Sequence, residues 1–283
     1  MLTPESIKAI NEFVYKQPRA IKEISELLKV SWLTADKYIG YIIEKYGTIK
    51  LKTFRGGTRG ALKIVYWANL EGMRASTAQQ ILLDKIKLGR KKQDFTPFDI
   101  YTLINQDKKE AFAIPITKDN EQKLVKEFKA ATRQLFIFSG NISFINNIEN
   151  GIRIIDVLND LAKKRVNIKI LCRVDIASIK NIKVIQELNY LLGYDAIEVR
   201  HIEQPLRGFI IDNKLVRLRE EKKKSDYKDW ELQNDLYLIY NIHDKEWCEW
   251  LEKIFWNLHG NALPIENRIT DLNKIEDILI NKD

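Results

Sequence analysis

Amphipathic helices alternate with short apolar runs between residues 120 and 263, and this alternation constrains the fold more than any other feature of the chain. EQKLVKEFKAAT, GIRIIDVLNDLAKKR and NIKVIQELNYLLG carry apolar residues at helical spacing. LFIFSG, VNIKILCRV, AIEVRHI, RGFIID, LVRLRE and LYLIYNI have the composition of strands. Strands that alternate with helices predict an α/β sheet whose two faces are both covered.

Residues 1–68 follow a different pattern, which predicts a separate domain of α+β type. Three segments with helical spacing come first, and Ser31 is placed to cap the third of them, WLTADKYIGYIIEKYG. After Gly47 the period changes to two in TIKLKTF and ALKIVYWA. These two runs predict a β-hairpin whose tip is the glycine-rich stretch RGGTRG.

The positive charge of the chain is concentrated at its N-terminal end. Residues 1–92 hold 18 Lys/Arg against 8 Asp/Glu, whereas residues 93–283 hold 29 against 31. An excess of this kind indicates that a polyanion, if one is bound, is bound by the first third of the chain. The alternative is that the lysines only keep the chain soluble.

Three helices followed by a basic hairpin resemble the winged helix-turn-helix family of DNA-binding domains, over about residues 4–68. By that resemblance the third helix enters the major groove and the hairpin meets phosphate or the minor groove. We expect Trp32, Thr34, Lys37, Tyr38 and Tyr41 to point outward from the third helix. Domains of this type also serve as protein–protein modules, and that alternative stays open. The DNA-binding residues implied are Ser31, Trp32, Thr34, Lys37, Tyr38, Tyr41, Lys50, Arg55, Thr58 and Arg59.

Residues 69–95 are predicted to connect this domain to a second one at 96–283. Ser76, with Gln79 three residues later, is a helix-start signature, and the helix that follows ends in the basic cluster Arg90, Lys91 and Lys92. This helix either links the domains or pairs with its copy in a dimer.

The order of elements over about residues 120–263 resembles the phospholipase D-like fold. That family places its active motif, His-x-Lys-x-x-x-x-Asp, where this chain reads PLRGFIID, so Pro205, Arg207 and Asp212 stand at the three motif positions. Proline cannot act as the nucleophile that the family's histidine provides. His201 comes four residues too early, which is about 13 Å along a strand. The downstream Gly-Ser-x-Asn element is also absent, since LVRLREEKKKSDYKDWE stands there.

A winged helix followed by a phospholipase D-like domain without its histidine is similar to the TrmB-like archaeal transcription regulators. The resemblance implies a second domain that binds a small-molecule effector and assists dimerisation. Arg207 and Asp212 are the predicted ligand-binding residues, as a retained charge pair or an anion pocket. The closing helix, with Trp247, Trp250 and the adjacent Phe255 and Trp256, is the predicted adhesive surface of a homodimer.

Several classes of protein are disfavoured by composition. No apolar stretch approaches the roughly 18 residues of a membrane span, and the N-terminal residues lack the pattern of a signal peptide, so we expect a cytoplasmic, nucleoid-associated protein. Cys172 and Cys248 form no disulfide framework, and the three histidines show no zinc spacing. We expect no metal and no cofactor.

Three hypotheses follow from the sequence. The first is a DNA-binding transcriptional regulator whose second domain senses a ligand or holds a dimer together. The second is a chromatin-like architectural protein that coats DNA with little sequence preference. The third is a phosphodiesterase or nuclease that uses an unusual nucleophile.

Overall fold

The computed structural model describes residues 2–55, 61–68, 75–116, 123–228 and 231–280, apart from the side chains of residues 75, 76 and 275–280. Over these residues the chain is a mixed α/β protein with sheets of three, eight and two strands. None of the described helices is long and apolar enough to cross a membrane.

The N-terminal part consists of three helices and a small antiparallel sheet with the strand order β1-β3-β2. The apolar faces of the helices share one core, in which Ile10, Ile24, Ile39 and Ile42 are completely buried. The elements are α1 (Pro4–Lys16), β1 (Arg19–Ala20), α2 (Ile21–Leu28), α3 (Trp32–Tyr46), β2 (Ile49–Phe54) and β3 (Leu62–Trp67).

Local signals in the sequence set the ends of these helices. The Thr3 hydroxyl accepts a hydrogen bond from the Ser6 amide at 3.2 Å, and Pro4 occupies the first position of α1. The Ser31 hydroxyl caps α3 in the same way, accepting from the Thr34 amide at 3.1 Å. Gly47 ends α3 in the left-handed region with φ of 61°. The prediction that Ser31 caps the third helix is therefore confirmed.

An eight-stranded sheet forms the centre of the second part, with the order β13-β9-β8-β5-β10-β11-β12-β4. Strands β5, β8 and β9 are parallel, and the other neighbours are antiparallel. The strands are β4 (Lys109–Pro115), β5 (Gln134–Phe138), β8 (Asn167–Cys172), β9 (Ile197–His201), β10 (Gly208–Ile211), β11 (Leu215–Lys222), β12 (Leu236–Ile242) and β13 (Leu263–Pro264), with β6 (Ile148–Glu149) and β7 (Ile152–Arg153) as a separate pair.

Helices cover both faces of this sheet, as the alternating pattern predicted. One face packs against α6, α7, α8 and α10 and the other against α4, α5 and α9, each through its own core. The helices are α4 (Ala75–Leu88), α5 (Pro97–Leu103), α6 (Leu124–Lys129), α7 (Ile154–Lys163), α8 (Ile179–Leu192), α9 (Lys245–Gly260) and α10 (Ile265–Ile280). Leu82 and Ile86 place α4 in the same core as α9, so the connector helix packs on the α/β part.

The two parts of the chain are in direct contact. Phe54 and Ile64 of the small sheet share a core with Phe98, Tyr101 and Tyr240 of the α/β part. The rings of Phe54 and Tyr240 meet edge to face with centroids 6.2 Å apart. The side of the hairpin turned towards the α/β part is thus buried, and the side of α3 turned away from the core stays in solvent.

Candidate nucleic-acid interface and anion pocket

Helix α3 presents one exposed face. Leu33, Lys37, Tyr41 and Lys45 are exposed at helical spacing of three to four residues, while Ala35, Ile39 and Ile42 on the opposite side are completely buried. The Lys45 ammonium donates to the Tyr41 hydroxyl at 2.7 Å and so fixes that ring on the exposed face. This face is the part of α3 that a nucleic acid could reach.

Two of the predicted contact residues on α3 do not lie on this face. The prediction that Trp32 points outward is wrong: the side chain is 8% exposed, and its Nε1 donates to Glu231 Oε1 at 2.6 Å. Glu231 belongs to the loop before β12, 199 residues away. Tyr38 is half-buried and packs against the N-terminal core. Trp32 therefore joins α3 to the α/β part.

Two more of the predicted DNA-binding residues, Ser31 and Thr34, form the N-terminal cap of α3. Ser31 is exposed and Thr34 half-buried, and their hydroxyls lie 2.8 Å apart while Ser31 also caps the helix. Of the six residues predicted on or next to α3, Lys37 and Tyr41 are the ones with exposed side chains that the cap does not use.

Strand β2 and the residue that follows it carry two further exposed cations. Lys50 and Arg55 are exposed, and no acidic side chain of the described residues pairs with either of them or with Lys37. Thr58 and Arg59, the other predicted hairpin residues, lie outside the described residues.

Sequence reasoning missed Lys109, a cation of the α/β part that lies close to Lys50 and Lys52. Burial, and then repulsion from Lys52 and Lys50, lower the pKa of Lys109 to about 8. The Lys109 ammonium also donates to the Tyr101 carbonyl at 2.7 Å. We call the exposed or half-exposed cations Lys37, Lys50, Arg55 and Lys109 the basic surface. Leu33, which is 68% exposed on α3, was missed as well, although its spacing from Lys37 could have shown it.

The two remaining motif positions stand at opposite ends of β10 and do not form the charge pair that was one of the two predictions. Asp212 lies in the turn after the strand, is 2% exposed, and accepts from the amides of Thr132, Arg133 and Gln134 at 2.8–2.9 Å. The Thr132 hydroxyl donates to it at 2.7 Å. Burial raises the pKa of Asp212, but these hydrogen bonds outweigh burial and hold the pKa below its ordinary value. Asp212 is a structural clamp on the start of β5.

Arg207 has a different environment at the other end of β10. Its guanidinium donates to the carbonyls of Gln204 at 3.0 Å and Leu206 at 2.6 Å, and no carboxylate of the described residues pairs with it. A Cβ on Gly140 would lie 3.2 Å from Arg207 Nε, so the guanidinium covers that glycine closely. Burial, and then repulsion from Arg219 and Arg173, lower the pKa of Arg207 to about 10.

Two further arginines, Arg219 and Arg173, lie close enough to Arg207 to lower its pKa. Gln204 is 2% exposed, and its Nε2 donates to the Ser139 carbonyl at 3.1 Å, which ties the segment before β10 to the end of β5. Gly140 and Arg173 follow directly on the parallel strands β5 and β8, where α/β sheets commonly hold ligands. We call Arg207, Arg173, Arg219, Gln204 and Gly140 the arginine pocket.

His201 and Cys172 do not take the place of the histidine that the motif lacks. His201 lies on β9, three strands away from β10, which is about 14 Å at ordinary strand spacing. Its Nδ1 accepts from the Val174 amide at 2.8 Å. Burial raises the pKa of the Cys172 thiol to about 12, so this sulfur is not a thiolate nucleophile near neutral pH.

The aromatic residues of α9 divide between the core and the surface. Trp247 and Phe255 are buried, and the Phe255 ring stacks on Phe136 with centroids 4.7 Å apart. Trp250 is half-buried against Trp247. Trp256 is 41% exposed and is the one of the four that offers a large surface to a partner.

Comparisons with known proteins leave the family of the chain open. No protein-family model matches it, and no curated protein matches it. Nuc from Salmonella typhimurium, a phospholipase D family member, is 14% identical with a TM-score of 0.41, covering 55% of this chain and 97% of that one. TrmBL2, an archaeal chromatin protein with a novel mode of DNA binding, is 14% identical with a TM-score of 0.42, over 93% and 94%. NucT from Helicobacter pylori is 13% identical with a TM-score of 0.39, over 56% and 99%. Because every one of these TM-scores is below 0.5, the function has to be inferred from the residues of this chain.

Proposed function

We propose that this protein is a transcriptional regulator that binds double-stranded DNA through residues 1–68, acting as a winged helix-turn-helix domain. The observation that carries the proposal is the basic surface, in which Lys37 on α3, Lys50 on β2 and Arg55 directly after β2 are exposed without acidic partners among the described residues. A DNA duplex carries a phosphate charge about every 1.7 Å along its axis and complements such an array. Lys37, Tyr41 and Leu33 then face the major groove, and Leu33 suits the methyl group of thymine.

The rest of the chain is proposed to serve sensing and assembly. Residues 69–95 connect the DNA-binding domain to a phospholipase D-like domain at 96–283, which holds a small oxyanion in the arginine pocket. A buried guanidinium without a carboxylate partner is costly, and a bound anion would offset that cost. Such a regulator works in the cytoplasm, associated with the nucleoid.

We also propose that the second domain is not an enzyme and that it pairs with its copy. Pro205 removes the nucleophile, and neither His201 nor Cys172 replaces it. The exposed Trp256 offers an apolar contact for the dimer, since the other aromatic residues of α9 are buried or half-buried. Two copies related by a two-fold axis would address two half-sites on one face of the duplex.

The regulator is tested by binding the full-length protein to a library of genomic fragments at physiological salt. We expect a small set of fragments to be retained far above the rest, because specific sites usually exceed non-specific DNA by about a thousandfold or more. Equal retention of all fragments would contradict site-specific regulation.

An architectural DNA-binding protein is a second candidate, and the state of α3 favours it. Trp32 is buried, and Ser31 and Thr34 are occupied by the helix cap, so few polar groups are left on α3 to read base edges. Binding would then depend on phosphate contacts and the shape of the duplex. A steep salt dependence with a specificity ratio near one would support this candidate over the regulator.

The proposal that the domain is not an enzyme has its own test. The full-length protein is incubated with duplex DNA and a chromogenic phosphodiester in the presence of a chelator, and we expect no turnover. Metal-independent hydrolysis that disappears in Asp212→Asn while the variant stays folded would contradict the proposal.

A further inference from the structure

A cavity of about 290 Å³ lies between the N-terminal part and helices α4 and α5, apart from the arginine pocket; Lys50 of the basic surface stands opposite the cavity residue Tyr66 in the hairpin. The end of α1 and the end of β3 form one wall, and α4 and α5 form the other. A molecule bound there would touch both parts of the chain at once.

The inner lining of this cavity is apolar and aromatic. Tyr66 and Trp67 come from β3, Ile81 and Leu82 from α4, and Leu103 from α5. An engineered cavity of about 150 Å³ with a comparable apolar lining binds benzene. The volume here therefore suits a molecule with one or two aromatic rings.

The polar side of the cavity holds one carboxylate, that of Asp99, while the two lysines of the lining, Lys16 and Lys85, are exposed to solvent. Asp99 has a side chain that is 16% exposed, and its Oδ2 accepts from the Lys85 ammonium at 3.1 Å. Burial raises the pKa of Asp99 and Glu220 adds repulsion, while Lys85 opposes both effects. Lys85 is itself 45% exposed, so it compensates the charge of Asp99 only from the solvent side.

The same ion pair also lines a larger polar cleft of about 790 Å³. Asp99 and Lys85 therefore stand at the boundary between an apolar space and a polar one. A ligand that fits this arrangement has an aromatic ring for the inner cavity and an ammonium group for the boundary. The rings of Tyr66 and Trp67 add a favourable surface for a cation.

We propose that this cavity is an effector site for a small aromatic molecule that carries an ammonium group. The ring lies against Tyr66, Trp67 and Leu82, and the ammonium donates to Asp99. A free aromatic amine and an aromatic amino acid share this chemistry. They differ in the carboxylate, which in the amino acid would reach Lys85.

Binding at this site is coupled to DNA, and this part rests on the proposed function. Because the walls belong to the DNA-binding part, to α4 of the connector and to α5 of the second domain, the occupied cavity fixes one arrangement of these parts. The effector then changes the affinity for DNA, and DNA changes the affinity for the effector by the same factor. Binding of the effector to the protein alone requires no DNA.

Calorimetric titration of the full-length protein tests the site directly. The probes are phenethylamine, phenylalanine and hydrocinnamate, which carry the same ring with an ammonium group, both charges, and a carboxylate alone. We expect phenethylamine and phenylalanine to bind and hydrocinnamate not to bind. If phenylalanine binds more tightly than phenethylamine, and Lys85→Gln makes the two affinities equal, the natural effector is an aromatic amino acid. If phenethylamine binds more tightly, it is an aromatic amine.

Variants of the walls locate the binding. Asp99→Asn should weaken phenethylamine binding about tenfold, as expected for the loss of one charge-assisted hydrogen bond. Ile81→Trp, at a position that is 45% exposed on the cavity wall, should fill the space and abolish binding. Asp84→Asn and Leu88→Trp are matched controls on the same helix, outside the cavity lining, and should leave binding unchanged.

Three results would overturn the proposal: no binding of either ammonium probe to the folded protein, equal binding of hydrocinnamate, or unchanged binding in Ile81→Trp. The thermal unfolding of each variant is measured alongside to show that it is folded. The titrations stand apart from the proposed function, because an effector can bind even to a protein that has no affinity for DNA. Loss of DNA binding in a protein that still binds phenethylamine would refute the regulator and keep this site.

Discussion

The basic surface and Arg207 of the arginine pocket both present cations without acidic partners among the described residues, but in different surroundings. Lys37, Lys50 and Arg55 are spread over an exposed surface of α3 and β2. Arg207 is half-buried on backbone carbonyls, with Arg219 and Arg173 close enough to lower its pKa. The exposed array fits the repeated phosphates of a duplex, whereas the pocket fits one small anion. The comparison is the basis on which we propose two separable anion-binding functions in one chain.

The largest expected effect is on the free energy of unfolding and comes from Asp212. Its carboxylate binds the backbone at the start of β5, whereas the exposed lysines of the basic surface make no ion pairs among the described residues. Asp212→Asn should lower the free energy of unfolding by about 3 kcal/mol. The amides of Thr132 and Gln134 donate to the two different carboxylate oxygens, and in asparagine one of these oxygens is replaced by an NH₂ group, which cannot accept. Asparagine keeps the tolerance for the φ of 50° at this position. Lys37→Ala should change the same quantity by less than about 0.5 kcal/mol.

The sign of the pH dependence follows from the pKa of Asp212. Because its pKa is lowered in the folded protein, its contribution to stability is present above the ordinary carboxyl pKa and is lost as the pH falls through the folded value. Urea unfolding at neutral and acidic pH measures this. An Asp212→Asn variant as stable as the parent at neutral pH would show that the clamp is unimportant.

Base reading by α3 is the second largest effect. Lys37→Ala and Tyr41→Ala should each cost about 1–3 kcal/mol at the preferred site and much less on other DNA, if the exposed face of α3 reads bases. Competition between a selected fragment and random duplex measures the ratio. Lys45→Ala is not a neutral control, because Lys45 positions Tyr41. Lys180→Ala on α8 serves instead. Unchanged preference in both variants would favour the architectural candidate.

The arginine pocket should bind one small anion, independently of DNA binding by the basic surface. Inorganic phosphate should raise the thermal stability of the parent, and Arg207→Ala should weaken phosphate binding about tenfold. Lys214→Ala, in the turn at the other end of β10, is the matched control. If phosphate stabilised Arg207→Ala as much as the parent, the arginine pocket would not be the phosphate site.

The smallest expected effect is a pH dependence of DNA affinity that arises from Lys109. Its pKa of about 8 means that DNA phosphates near it must draw a proton onto the side chain at mildly alkaline pH. The DNA affinity should therefore fall by less than about tenfold as the pH rises through 8, and Lys109→Gln should flatten this change. Binding of a fluorescent duplex over that pH range tests it. The same pH dependence in Lys109→Gln would place Lys109 outside the interface.

The order of helices and strands could be predicted because periodicity is local. The three N-terminal helices, the strands β10 and β11 and the covering of the sheet on both faces were all present in the apolar pattern. Strand β4 was missed, since KEAFAIP ends in proline and does not alternate clearly. Helix α10 was missed as well, although Ile265, Ile269 and Leu272 follow helical spacing and pack on the sheet.

The candidate site was predicted only in part, because its contacts join distant parts of the chain. Helical spacing placed Lys37 and Tyr41 correctly on the exposed face, but the burial of Trp32 depends on Glu231. The motif spacing placed Arg207 and Asp212 on one strand, but the partners of Asp212 lie about 80 residues earlier. Lys109 joins the basic surface only through packing of β2 beside β4.

The salt dependence of duplex binding by the full-length protein tests the central claim most directly. The logarithm of the binding constant should fall linearly with the logarithm of the salt concentration. The triple variant Lys37→Ala, Lys50→Ala, Arg55→Ala should reduce the slope by about 3, at about 0.9 per phosphate contact. Removal of three exposed lysines from α7 and α8, Lys163, Lys180 and Lys183, should leave the slope unchanged. A parent protein that does not bind the duplex, or a triple variant with the parent's slope, would contradict the account.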